Sequence, residues 1–243
     1  MRSGAPVIPS SCCTPASPTR ACGIPSGSRW GRGSTWSGPT SGATGGRRTP
    51  RRGRTRTRAT SRTCSLRSGC AGVALVGSSY GGRVALELAT GHPDLVARLV
   101  LLNAGCGLPP TPDLEAFGSE EDRLIEAGDV GGAVDLNVRT WLGPEADQAV
   151  GMRLAAMQRH AFEVQLAADP EPERGRDPID LPAVTAPALV VVGGHDLPYF
   201  RGSGRHIAET MPHATLLDLD WAGHLPSLER PAEITSLLCD FLS

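Results

Sequence analysis

The stretch Gly72-Val-Ala-Leu-Val-Gly77-Ser-Ser79-Tyr-Gly81-Gly82-Arg-Val-Ala-Leu-Glu-Leu-Ala-Thr90 decides how this chain folds. Its first five residues form an apolar run suited to a buried parallel strand, and Arg83 to Thr90 has helical periodicity that stops before Pro93. Between them lies a G-x-S-x-G turn. A strand entering such a turn and a helix leaving it force the central serine into a tight bend with its hydroxyl exposed, while small neighbours let the backbones pass. A flexible Gly/Ser turn of no chemical consequence would have polar flanks. Apolar flanks make Ser79 a candidate nucleophile.

A nucleophilic serine needs a base to take its proton and a carboxylate to orient that base. Pro187-Ala-Leu-Val-Val-Val192 is a second continuous apolar run, and Gly193-Gly-His-Asp196 places Asp196 in the loop at its carboxyl end. Ala214 to Asp220 reads as a further strand, followed by Trp221-Ala-Gly-His224-Leu-Pro. In an open parallel sheet, ligands bind outside the carboxyl ends of the strands, so Ser79, Asp196 and His224 can converge on one rim. His92, His195, His206 and His213 sit in less suitable contexts; His195 adjoins Asp196 but precedes it in the loop.

With these three motifs the chain from about Gly72 to Ser243 resembles the α/β-hydrolase superfamily. The resemblance implies an α/β fold with a mostly parallel sheet and a helical cap. It further implies that Ser79 attacks a carbonyl carbon, His224 relays the proton, Asp196 holds the imidazole, and the Tyr80 backbone N–H supplies one oxyanion-hole donor. A serine at the elbow argues against the dehalogenase and epoxide hydrolase branches, which use Asp there. The implied activity is cleavage of an ester, lactone or related acyl bond through an acyl-enzyme. A small-molecule substrate is expected, with no cofactor, no metal and a cytoplasmic location. Two alternatives stay open: a non-catalytic relative that binds a small ligand in the same pocket, and an acyl transferase or perhydrolase with the same triad.

Between Gly105 and Pro182 the composition shifts toward charged helical segments: 113–117, 120–127, 133–142 and 150–166. This insert, about 106–182, resembles the cap of ester, lactone and carbon–carbon bond hydrolases, and Leu136-Asn-Val-Arg-Thr-Trp141 and Met157-Gln-Arg-His-Ala-Phe162 look most like the branch near 3-oxoadipate enol-lactonase. Trp141, His160 and Phe162 are candidates to line a pocket, although apolar cap residues usually pack against one another.

Residues 1–71 differ from the rest. The first seventy carry thirteen arginines and no acid, against eleven arginines and 25 acids thereafter. Large aliphatics are limited to Val7, Ile8, Ile24 and Leu66, so no periodic apolar face exists and the segment reads as disordered and basic. A nucleic-acid arm would be favoured by Arg47-Arg-Thr-Pro-Arg-Arg52, but none is expected. Scattered Gly and Pro break the amphipathic helix of a transit peptide. Cys12, Cys13, Cys22, Cys64 and Cys70 offer no paired C-x-x-C, so a zinc knuckle or disulfide frame is not expected. No secretory core or membrane span is visible.

None of these readings supplies the early strands and second oxyanion donor that an α/β-hydrolase needs. Out-of-frame translation does. Reading from each codon's third base fixes two of three bases in every new codon. Pro9 to Ala16 then permits FVLLHAG, Gly33 to Arg48 permits FHVVRPDLRGYGRSP, and Ala59 to Cys70 permits DLADVLAALGV. These resemble, in family order, a strand with its oxyanion loop, the next strand with a D-x-R-G-x-G loop, and the helix before the elbow. The expected chain is therefore an α/β-hydrolase whose N-terminal strands are missing or non-native, with impaired activity.

Overall fold

Leu99 and Leu101 face one side of their strand and Val100 and Leu102 the other, and this alternation builds a layer on each side of one sheet. The structure is a computed structural model describing residues 54–55, 72–167, 173–174 and 176–243. Four strands, β1 (Val73–Ser78), β2 (Val96–Leu102), β3 (Ala188–Gly193) and β4 (Ala214–Leu219), pair in parallel in the order β1-β2-β3-β4. The helices are α1 (Tyr80–Gly91), α2 (Pro112–Glu126), α3 (Val130–Trp141), α4 (Gln148–Leu166), α5 (Pro198–Thr210), α6 (Pro226–Glu229) and α7 (Pro231–Leu242).

On one face Leu86 and Ala89 of α1 and Ile207 of α5 pack against Leu99, Leu101 and Val190. On the other, Ile234 of α7 meets Val100, Leu102, Leu189 and Val191. Every residue of β3 is buried, which is why its sequence is continuously apolar rather than alternating. The expected strands at the elbow and on either side of the acid loop are all present. One strand was not among the expectations: β2, whose Val-Ala-Arg-Leu-Val-Leu-Leu run is interrupted by Arg98. That arginine donates to the Phe241 carbonyl of α7 at 2.8 Å.

Helices α2, α3 and α4 occupy the insert between β2 and β3. The segments 113–117 and 120–127, expected as separate, form the single helix α2, with Pro112 at its start and Gly118 carried inside it. Asp129 and Asp147 cap α3 and α4, each accepting a backbone N–H three residues on at 2.8 Å. Leu124, Ala133, Val134 and Phe162 form the apolar centre of this unit.

Arg54–Thr55 pairs in parallel with Glu173–Arg174. The rest of the basic segment, including the stretches that permit the strand, oxyanion loop and helix of a shifted frame, lies outside the described residues. Among the described residues no helix is long and apolar enough to cross a membrane.

Candidate active site

Ser79 stands between β1 and α1 with φ 51° and ψ −119°, a left-handed conformation that costs a non-glycine residue about 1–3 kcal/mol. The surroundings enforce it. The Ser79 N–H donates to the Leu102 carbonyl (2.9 Å), and its own carbonyl accepts from Gly82 and Arg83 as α1 begins. A Cβ on Gly77 would lie 2.5 Å from the Gly81 carbonyl oxygen, so the turn closes only with glycine there. Tyr80 is the first residue of α1, which puts its N–H at the helix's leading, electropositive end.

Asp196 and His224 meet at the ends of β3 and β4. The His224 Nδ1–H donates to Asp196 Oδ2 at 2.7 Å, and the Asp196 side chain is fully buried. The other carboxylate oxygen accepts the Leu197 N–H at 2.7 Å, so both oxygens are engaged and the carboxylate cannot rotate freely. Gly193 lets the acid loop press against the carbonyls of Ala222 and Gly223. The imidazole lies among aromatic rings, with Phe200 at 4.2 Å and Trp141 at 4.7 Å between centroids.

Of the three expected residues, the structure joins Asp196 and His224 directly. Ser79 reaches the same rim without a hydrogen bond to either. Asp218 and Asp220 are exposed, and His195 is exposed in the loop beside Asp196. Trp141 lies against His224, whereas Phe162 is buried in the insert's own apolar centre and His160 is exposed.

Asn103, which sequence reasoning missed, ties the three loops together. Fully buried at φ 48°, it donates its backbone N–H to the Val191 carbonyl (2.8 Å) and accepts the Gly193 N–H on Oδ1 (2.7 Å). Its amide nitrogen donates to the carbonyls of Gly223 (3.2 Å) and His224 (2.9 Å). Leu102, one residue before it, holds the elbow. The available signal was an Asn directly after an apolar run, in a conformation Asn tolerates better than most residues. Glu229 is a second such residue: its carboxylate accepts the N–H groups of Gly143 and Gly223 at 3.0 and 2.9 Å, joining the insert to the loop that carries His224, and burial pushes its pKa up.

A buried carboxylate paired with an imidazole, on the same sheet rim as a strained serine at a helix N-terminus, comprises the group types that acyl transfer uses. Among the described residues no group of three or more His, Cys, Asp or Glu side chains is arranged to hold a metal.

Comparison with known proteins agrees with this geometry. The model of the alpha/beta hydrolase family matches residues 26–237, beginning upstream of the elbow strand. A protein of Caulobacter sp. (strain K31) named "Putative carbamate hydrolase RutD" is 28% identical over 181 residues, covering 70% of this chain and 65% of the relative. The 2-hydroxymuconate semialdehyde hydrolase of Pseudomonas sp. (strain CF600) is 31% identical over 183 residues, covering 70% and 61% respectively. The chain thus spans less than two thirds of the length of these curated relatives. Among solved structures, the enol-lactonase of Burkholderia xenovorans LB400 superposes with a TM-score of 0.56 at 23% identity, over 76% of this chain and 71% of that one, a likeness of fold. Sheet order, elbow and family match converge on one assignment: the chain belongs to the alpha/beta hydrolase family.

Proposed function

We propose that this chain derives from a serine hydrolase that cleaves a carboxylic ester, lactone or related acyl bond through an acyl-enzyme. The observation that carries the reading is the buried 2.7 Å pair of His224 and Asp196 on the rim where Ser79 is held at positive φ. In this reading His224 Nε2 takes the Ser79 proton as Oγ attacks the substrate's carbonyl carbon. The oxyanion of the tetrahedral intermediate is received by the Tyr80 N–H. Collapse expels the alcohol, which leaves with the proton from His224, and Ser79 remains acylated. Water, deprotonated by His224, attacks the acyl carbon, and the second collapse returns the proton to Ser79 and releases the acid. Asp196 accepts the Nδ1–H throughout and stabilises the imidazolium.

The early strands and the second oxyanion donor belong, in this reading, to the frame that residues 1–71 displace, so the chain as written turns over slowly. Loss of one oxyanion donor costs about a hundredfold to a thousandfold in turnover. A fluorophosphonate probe tests the nucleophile without depending on fast turnover: Ser79 in the full chain should be labelled, and Ser79→Ala should not. Equal labelling of the Ser79→Ala chain would sink the assignment.

A further inference from the structure

The cap carries a buried polar chain that ends on the catalytic histidine. Glu121 of α2 is 1% exposed and its Oε1 accepts the Asn137 side-chain N–H. Asn137 of α3, fully buried, also donates to the Ala133 carbonyl at 2.9 Å, which fixes which end of its amide faces which partner. Its Oδ1 accepts the Trp141 indole N–H at 2.7 Å. Trp141 closes the chain twice: its carbonyl accepts the His224 backbone N–H at 2.9 Å, and its ring lies 4.7 Å from the imidazole, tilted by 43°. Phe117, one turn before Glu121, meets the same indole edge-on at 4.6 Å. One helix thus contributes Phe117 and Glu121 and the next Asn137; Phe117 and Asn137 contact the Trp141 ring directly, and Glu121 acts on it through Asn137.

Packing alone does not call for this arrangement. A buried carboxyl is costly, and an apolar side chain of similar volume would fill the same space at less cost. Burial raises the Glu121 pKa to about 7, and its Oε2 has no hydrogen-bond partner among the described residues. What the polar chain adds is orientation: a hydrogen-bonded indole N–H selects one of the two flipped placements of the ring, and the ring in turn limits the imidazole.

We propose that Glu121 and Asn137 are positioning residues that hold Trp141 against His224, so that the cap fixes the catalytic imidazole as well as covering it. This rests on the serine-hydrolase reading. Glu121 and Asn137 reach His224 only by way of Trp141, so their effect passes through that ring.

The test uses the full chain labelled with ¹⁵N-histidine. The downfield proton of the His224 Nδ1–H, assigned by its loss in His224→Ala, reports the bond to Asp196. It should persist in Glu121→Gln, which keeps the acceptor for Asn137, and broaden away in Asn137→Leu. The rate of fluorophosphonate labelling at Ser79 should fall about tenfold in Asn137→Leu and in Glu121→Leu, which removes the acceptor, whereas Glu121→Gln, which keeps it, should rescue the loss seen in Glu121→Leu. Val134→Ala, which removes volume from the cap's apolar centre without touching the chain, should lower the melting temperature and leave the resonance in place. Should Asn137→Leu not fold, Trp141→Phe, which keeps a ring and deletes the N–H, must give the same loss. A resonance that is absent from the parent, unmoved in Asn137→Leu and Trp141→Phe, or lost equally in Val134→Ala overturns the brace. A parent that shows the expected resonance pattern but is never labelled at Ser79 keeps the brace and loses the hydrolase reading.

Discussion

Asp196 can orient an imidazole because both of its oxygens are committed, one to the His224 Nδ1–H and the other to the Leu197 N–H. Asp196→Asn would present an amide N–H to one of these donors and leave the ring in the wrong tautomer; ester turnover should drop by about four orders of magnitude with the fold retained. Exposed Asp218, paired with Arg205 at 3.8 Å, serves as the control, and a larger loss from Asp218→Asn would overturn the assignment of the acid. Asn103 makes a different kind of prediction. Removing its side chain leaves the Gly193 N–H and the Gly223 and His224 carbonyls without this partner in a dry interior, at about 1–3 kcal/mol per stranded group. Asn103→Ala should therefore lower the denaturation midpoint and activity together, while Ser79→Ala lowers activity alone. The turn at Ser79 and the meeting of Asp196 with His224 were legible because each follows an apolar strand in the sequence. Asn103 was not, since its role comes from backbone groups of two loops about 90 and 120 residues away, and backbone carries no letter in the sequence.

The strands were readable where both faces are buried, because burial on two sides writes a continuous apolar run, as in β3. Strand β2 escaped notice because Arg98 breaks its run, although its last four residues are all buried. Helix α2 looked divided because Gly118 weakens local propensity, but Leu114, Phe117, Glu121 and Leu124 keep one face in the core, and tertiary packing outweighs a penalty of about 1 kcal/mol. On that same face the helical insert should show a pH signature. Burial raises Glu121 from an ordinary 4.5 to about 7, so the folded state holds its proton more tightly than the unfolded chain. Below about pH 4.5 the group is protonated in both states and costs nothing further. As the pH rises from there through about 7, the unfolded carboxyl ionises first and stability is lost, by about 3 kcal/mol in total if the cap unfolds with the core. Glu121→Gln should flatten that slope in thermal melts taken across the interval. An unchanged slope would place the carboxyl in contact with water.

For the molecule as a whole, the informative feature is an edge. Strand β1 carries the elbow, yet among the described residues its hydrogen bonds run to β2 alone, and Val76 is 48% exposed on the side that α7 covers for β2, β3 and β4. An apolar strand with an open edge is a template for pairing with other chains. Residues 1–71 lie ahead of it with thirteen of the chain's 24 basic residues and none of its 25 acids. We propose that the covering strands are encoded in the shifted frame. The coding DNA across codons 1–75 decides this: the shifted reading should run without a stop codon and spell the strand, the His-Ala-Gly loop and the amphipathic helix in order. Expressed with the frame restored, the protein should be soluble where the chain as written self-associates. It should also hydrolyse short p-nitrophenyl esters about a hundredfold or more faster, because the restored loop brings a second donor opposite the Tyr80 N–H. The rival account, in which the basic segment is a working nucleic-acid arm, predicts tight and steeply salt-dependent binding to DNA or RNA by the chain as written, from the counterions its arginines would release. Stop codons in the shifted frame, or equal solubility and activity of the two chains, would remove the frame account and leave the arm as a module in its own right.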